Sequence, residues 1–366
     1  MDDRIRDHAA VLVDWSARVE EGDRVTMAVG EGAHPLAVAV AELLGERGAT
    51  LHASYASAEV QRAYLLASDE FEEPTHERRL IEATDVYLSL RGGRNTSAMA
   101  DVSAETHRAA SRAGSELREA RMDTDWVSTV HPTRSLAQQA GMSVEAYREF
   151  VYDAILRDWE SLAEEMGRMK ELLDEGSEVR LVSGEETDLR MSVEDRVAVN
   201  SAASVAYDSH NLPSGEVFTA PHDLEGTVTF DVPMTIRGKR VRDVRLTFED
   251  DEVVDYAAAE NESVIGDVLD TDEGARRAGE LGIGMNRGID RFTDNILFDE
   301  KMGDTVHLAL GRAYESNFPP GTEDERNDSA VHVDLITDVS EDSRLEVDGE
   351  VVQRDGRFRW EDGFEG

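Results

Sequence analysis

The chain reads as an α/β protein. An N-terminal α/β domain with parallel strands precedes a β-rich α+β domain. Two patterns predict this. Near the N-terminus, an apolar strand, an amphipathic helix and a second strand follow one another with short connections, the order of a parallel βαβ unit. Beyond about Ser183, helical spacing gives way to strict alternation of apolar and polar residues, the pattern of half-buried antiparallel strands. The expected division is 1–183 and 184–366, with the candidate chemistry in the second part.

Residues 8–20 carry an amphipathic helical pattern, and Arg24 to Val29 reads as a buried strand. Pro35 to Arg47 is the next helix, with proline in its first turn and Gly48 ending it. Thr50 to Tyr55 completes the unit. The loop Gly30-Glu31-Gly32-Ala33-His34 lacks the glycine spacing of a dinucleotide fingerprint or a phosphate loop, and reads as a plain turn. Asp85 to Leu90 is a further strand and Ala104 to Arg121 a polar helix, and Thr133 is placed to cap the helix after it. Ser143 to Leu173 is the longest helical pattern. Tyr147, Phe150, Val151, Ala154, Ile155, Leu162, Met166, Met169 and Leu173 recur at spacings of three and four, as a core-facing stripe does.

In the second part, strands are expected at Val179 to Val182, Asp188 to Val193, Thr227 to Ile236, Val241 to Phe248 and Val253 to Ala257. A helix from Val264 to Glu280 interrupts them. Val306 to Gly311 and Ala330 to Thr337 follow, then a hairpin from Arg344 to Trp360 around Asp348-Gly349.

Composition narrows the function classes. The net charge is −41, from 79 acidic and 38 basic residues, and only three of the basic residues are lysine. Carboxylates spread along the whole chain repel one another unless salt screens them, so a high-salt cytoplasm is the expected setting. No basic patch suggests a nucleic-acid partner. With no cysteine there is no disulfide, thiolate metal site or cysteine nucleophile. Met1-Asp2-Asp3-Arg4 does not open a secretory signal, and no apolar run approaches the roughly 20 residues of a membrane span.

The candidate chemistry lies between Glu280 and Asp334, with one upstream residue, Glu216. Imidazole and carboxylate together form a ligand set for zinc, cobalt or manganese. The triplet His332-Val333-Asp334 places both polar side chains on one face of a strand. His307 opens an apolar run. Glu280 ends the expected helix before two glycines, and Glu216 leads Pro213-Ser214-Gly215 into Val217-Phe218. Taken singly, each has an ordinary structural reading: a core histidine, or a solvated carboxylate among many.

Several motifs together resemble the M29 metallo-aminopeptidases, the thermophilic aminopeptidase family. They are Asn211-Leu212-Pro213-Ser214-Gly215-Glu216-Val217-Phe218, Glu280-Leu281-Gly282-Ile283-Gly284, Asp299-Glu300-Lys301, His307-Leu308-Ala309-Leu310-Gly311 and His332-Val333-Asp334. His131-Pro132-Thr133-Arg134-Ser135 is similar to that family as well, and the resemblance runs from about residue 20 to 340. It implies two divalent metal ions (Zn, Co or Mn) held by Glu216, Glu280, Glu300, His307, His332 and Asp334. It implies a homodimer and peptide substrates with a free N-terminus. It also implies hydrolysis by a water activated between the ions. Glu216 or Glu280 is the candidate proton carrier, and Tyr314 the candidate donor to the oxyanion. The acidic stretch from Thr322 to Asp328 departs from the family pattern. Two other readings fit the same residues: a non-catalytic metal- or ligand-binding protein, and another metallohydrolase such as a phosphoesterase.

Overall fold

The computed structural model describes residues 2–366 and contains two compact units. Of the described residues, those up to 157 and 203–214 form the first, and residues 158–202 and 215–366 the second. These units differ from the expected 183/184 division. The long helical pattern is broken, because Val144–Ile155 and Trp159–Glu175 are separate helices and the boundary falls between them. The Asp158 side chain accepts from Ser161 N at 3.2 Å and starts the second helix afresh. The apolar stripe predicted across both helices is buried throughout.

The first unit is built on a five-stranded parallel sheet in the order Thr50–Ala56, Arg24–Gly30, Val86–Arg91, Asp125–Val130, Asn211–Leu212. Its interior strands are nearly continuous apolar runs, as a sheet covered on both faces requires. The helix His34–Arg47 ends on Gly48, whose φ of +81° is left-handed. Thr133 caps the helix Arg134–Gln139 by accepting from Leu136 N.

Two antiparallel sheets form most of the second unit. The larger has eight strands in the order Glu252–Ala257, Val244–Glu249, His222–Phe230, Thr187–Ser192, Glu178–Ser183, Ser343–Val347, Glu350–Arg354, Arg357–Phe358. The smaller has five strands in the order His332–Asp338, Thr305–Gly311, Ala278–Gly284, Glu216–Thr219, Val199–Ser201. All seven residues of Ala278–Gly284 and of Thr305–Gly311 are buried, so these strands are the centre of the unit.

Here one expectation is corrected. The helix at Val264 to Glu280 stops early: it spans Glu262–Leu269, a short 3-10 turn covers Glu273–Arg276, and Glu280 lies within a strand. Asp272 starts that turn by accepting from Ala275 N at 2.9 Å. The strand Ala-Gly-Glu-Leu-Gly-Ile-Gly has weak strand propensity because of its glycines. Pairing on both edges decides its conformation. The polar helix expected over Ala104 to Arg121 is likewise two helices, Ala104–Ala113 and Ser115–Met122, parted at Gly114. No helix among the described residues is long and apolar enough to cross a membrane.

Candidate metal centre

Register in the five-stranded sheet brings the candidate residues together. Glu216 pairs with Gly284, Gly282 with His307, Glu280 with Ala309, Ala309 with Asp334, and Gly311 with His332. Residues directly opposite share a face, and alternate residues along a strand share it too. Glu216, Glu280, His307, His332 and Asp334 therefore project from one face of four adjacent strands. Glycine and alanine occupy the positions between them, which leaves room above the sheet. Gly282 has no substitute: a Cβ there would lie 2.0 Å from His307 Cε1 and 2.1 Å from Nε2. Gly215 sets the approach of Glu216, with a φ of +119° and Asn286 Cβ 2.7 Å from where its own Cβ would be.

His307 is fully buried, with Nε2 3.1 Å from Glu280 Oε1 and 3.7 Å from Glu216 Oε2. His332 Nε2 is 3.5 Å from both Glu280 Oε2 and Asp334 Oδ1. The other nitrogen of His332, Nδ1, donates to the Arg312 carbonyl at 2.8 Å, which fixes the ring and leaves Nε2 facing the carboxylates. Among the described residues, Glu216, Glu280 and His307 each offer an atom within 4.8 Å of the others. His332 joins that group through Glu280, and Asp334 through His332. Glu300 does not: its carboxylate meets the ammonium of Lys301.

The donor atoms suit a cation. Glu216 Oε2, Glu280 Oε2 and Asp334 Oδ1 are buried and without a hydrogen-bond partner. An unpaired buried oxygen is costly, and a bound divalent ion removes that cost. Burial pushes the Glu216 carboxyl up, against the pull of Lys301 and His307. Burial opposes charging of both imidazoles, yet Glu280 and Glu216 raise His307, and Asp334 and Glu280 raise His332 to about 9. Asp334 is held low, because the neighbouring histidines outweigh its burial. The same negative field that binds protons here attracts a metal ion.

Tyr314 stands beside the group. Its hydroxyl is 3.5 Å from His332 Nε2, and its ring meets Phe218 edge-on at 5.9 Å. Partial burial and then Glu280 and Asp334 push its phenol well above the usual tyrosine range, so it remains an O–H donor near neutral pH.

Sequence reasoning passed over Lys301. It is 1% exposed, with Nζ 3.3 Å from Glu216 Oε1 and in contact with Glu300 Oε1. The available signal was compositional: it is one of three lysines in an arginine-rich chain, and it follows two acids.

The chain is similar in part of its length to known aminopeptidases. Aminopeptidase 2 of Geobacillus stearothermophilus is 34% identical over 174 residues, 44% of this chain and 40% of that protein. Aminopeptidase T of Thermus aquaticus is 38% identical over 163 residues, 41% of this chain and 40% of that protein. The matched segments thus span about two fifths of the length of these relatives. Among solved structures, wild-type AmpT from Thermus thermophilus superposes with a TM-score of 0.85 at 25% identity, over 98% of this chain and 99% of that one. A 2,5-dihydroxypyridine dioxygenase from Pseudomonas putida shares the fold at a TM-score of 0.59 and 14% identity, over 99% of each chain. The profile described as thermophilic metalloprotease (M29) matches residues 1–358, and the chain belongs to that family.

Proposed function

We propose that this protein is a metal-dependent aminopeptidase that removes N-terminal residues from peptides. The observation that carries this reading is the convergence of Glu216, Glu280, His307, His332 and Asp334 on one face of four neighbouring strands, with buried oxygens that lack partners. These five side chains hold the metal, and Glu300 is the sixth candidate, reached through Lys301. When bound, one or two divalent ions supply Lewis acidity and an activated water.

The protein's own groups supply the rest. Glu280 lies between two imidazoles, and its Oε2 has no hydrogen-bond partner, so it is the better placed of the two candidate proton carriers. Glu216 is tied by Lys301 and is the more fixed ligand. The Tyr314 hydroxyl, at the rim of the group, donates to the oxyanion that forms at the peptide carbonyl. The surplus of carboxylates over cations favours the ammonium of a free N-terminus.

The test is hydrolysis of free and N-acetylated aminoacyl anilides in molar KCl, before and after chelation. Chelation should abolish turnover, Co²⁺, Mn²⁺ or Zn²⁺ should restore it, and the acetylated substrates should resist. Full turnover in the metal-free protein, or equal cleavage of blocked substrates, overturns the reading. The same fold also occurs in a protein named as a dioxygenase, so the scaffold alone does not dictate hydrolysis. Metal binding without turnover of any free anilide would favour a binding role.

A further inference from the structure

Lys301 follows a turn that is tightly held. Asp299 accepts from Thr293 N at 2.8 Å, from Thr293 Oγ1 at 2.7 Å and from Asn295 N at 2.9 Å. The Lys301 backbone N–H donates to Phe298 O at 3.0 Å. Its side chain is fully buried, and its ammonium bridges Glu300 and Glu216. The two oxygens of Glu216 are thereby distinguished. Oε1 faces Lys301, whereas Oε2 has no hydrogen-bond partner and lies 3.7 Å from His307 Nε2. The residue type is informative as well. This chain uses arginine at nearly every basic position, yet keeps lysine here. An ammonium is a compact charge with three donors that turn freely, and it reaches two carboxylates from one point. A planar guanidinium is wider and directs its donors in a fixed fork.

We propose that Lys301 is a positioning residue for the metal centre: by holding Glu216 Oε1 together with Glu300, it presents Glu216 Oε2 alone as the donor. This rests on the reading that the site binds a divalent cation. Position and charge predict opposite results when Lys301 is removed. On charge alone, a buried ammonium repels a metal ion, and its loss would tighten binding. On position, its loss frees the Glu216 carboxylate to rotate, and binding weakens. A residue that only supports folding changes the melting temperature and leaves the affinity of the folded protein alone.

The experiment is calorimetric titration of Co²⁺ into the full-length, chelator-stripped protein, with far-UV circular dichroism to check folding. Wild type, Lys301→Met and Lys301→Gln are compared. Losing an interaction that orients a metal ligand typically costs about 10–100-fold in affinity. That loss is expected for Lys301→Met. Lys301→Gln, which retains an N–H donor without the charge, should fall between it and wild type. Affinity equal to or tighter than wild type in the folded variants overturns the proposal. Should Lys301→Met fail to fold, Lys301→Gln decides by the same criterion. A wild-type protein that binds no Co²⁺ would instead overturn the underlying assignment of the site.

Discussion

Each unit of this protein contains a pair of histidines largely withdrawn from solvent, three of the four buried and His332 half-buried, and the two pairs behave in opposite ways. In the first unit, His8 donates or accepts at Thr129 Oγ1 over 2.8 Å, and His131 sits nearby. Burial pushes His8 down to about 3, aided by repulsion from His131. Burial, and then Arg148, pushes His131 down to about 4. In the second unit, His307 is as buried as His8, yet carboxylates raise its proton affinity, and that of His332. Full burial is common to His8 and His307 and so does not identify a functional histidine. The neighbouring charge does. A buried imidazole with no carboxylate beside it reads as a polar core residue, and one among carboxylates fits the cation site proposed here.

The comparison is broken most directly at Glu280, whose carboxylate lies within 3.5 Å of both imidazoles of the second pair. Glu280→Gln preserves shape and removes the charge. Both Co²⁺ affinity and anilide turnover should collapse, turnover by about 10²–10⁴-fold if Glu280 also carries the proton. Titration and kinetics on one preparation measure both. Wild-type values for each would show that burial, not the carboxylate, sets the behaviour of these histidines.

A smaller effect is expected from Tyr314, which touches His332 without adding charge at neutral pH. Tyr314→Phe keeps the ring against Phe218 and deletes only the donor. Losing one oxyanion donor costs roughly 10²–10³ in kcat. KM and metal content should hardly move, since the ligands are untouched. A kcat within about threefold of wild type would reduce Tyr314 to a packing residue.

The first pair offers the mildest test. The unfolded chain protonates these histidines near pH 6.5, and the folded chain only near 4 and 3. Below pH 6.5 the unfolded state therefore binds more protons, and stability declines as pH falls toward 4. Each such proton contributes about 1.4 kcal/mol per pH unit. His8→Gln, which can still bond Thr129, should flatten the fall of Tm between pH 6.5 and 4 relative to wild type. Parallel pH profiles for the two proteins would mean that His8 is not held neutral by the fold.

Much of the chain was legible because its signals are local. Gly48 stops a helix through its own left-handed φ, Thr133 caps one three residues away, and the spacing from Tyr147 to Leu173 marks a buried stripe within successive turns. Glu280 was misplaced onto a helix end for the same reason. Its strand holds three glycines among seven residues, and nothing nearby in sequence announces a central strand. The break at residues 156–158 escaped notice because apolar spacing continues on either side of it.

The sequence alone determined the two kinds of β-structure, the acidic charge and the residue types able to bind a metal ion. Those follow from composition and from periodicity over a few residues. Which side chains meet was decided by tertiary structure. A slip of one residue in any strand pair would turn Glu216, Glu280, His307 or His332 to the opposite face. Register depends on hydrogen bonds between strands more than 20 residues apart, such as the pairing of Gly282 with both Phe218 and His307. Lys301 shows the same dependence. Its neighbour Glu300 is adjacent in the chain, but its other partner, Glu216, lies far upstream, and only folding brings that carboxylate within 3.3 Å.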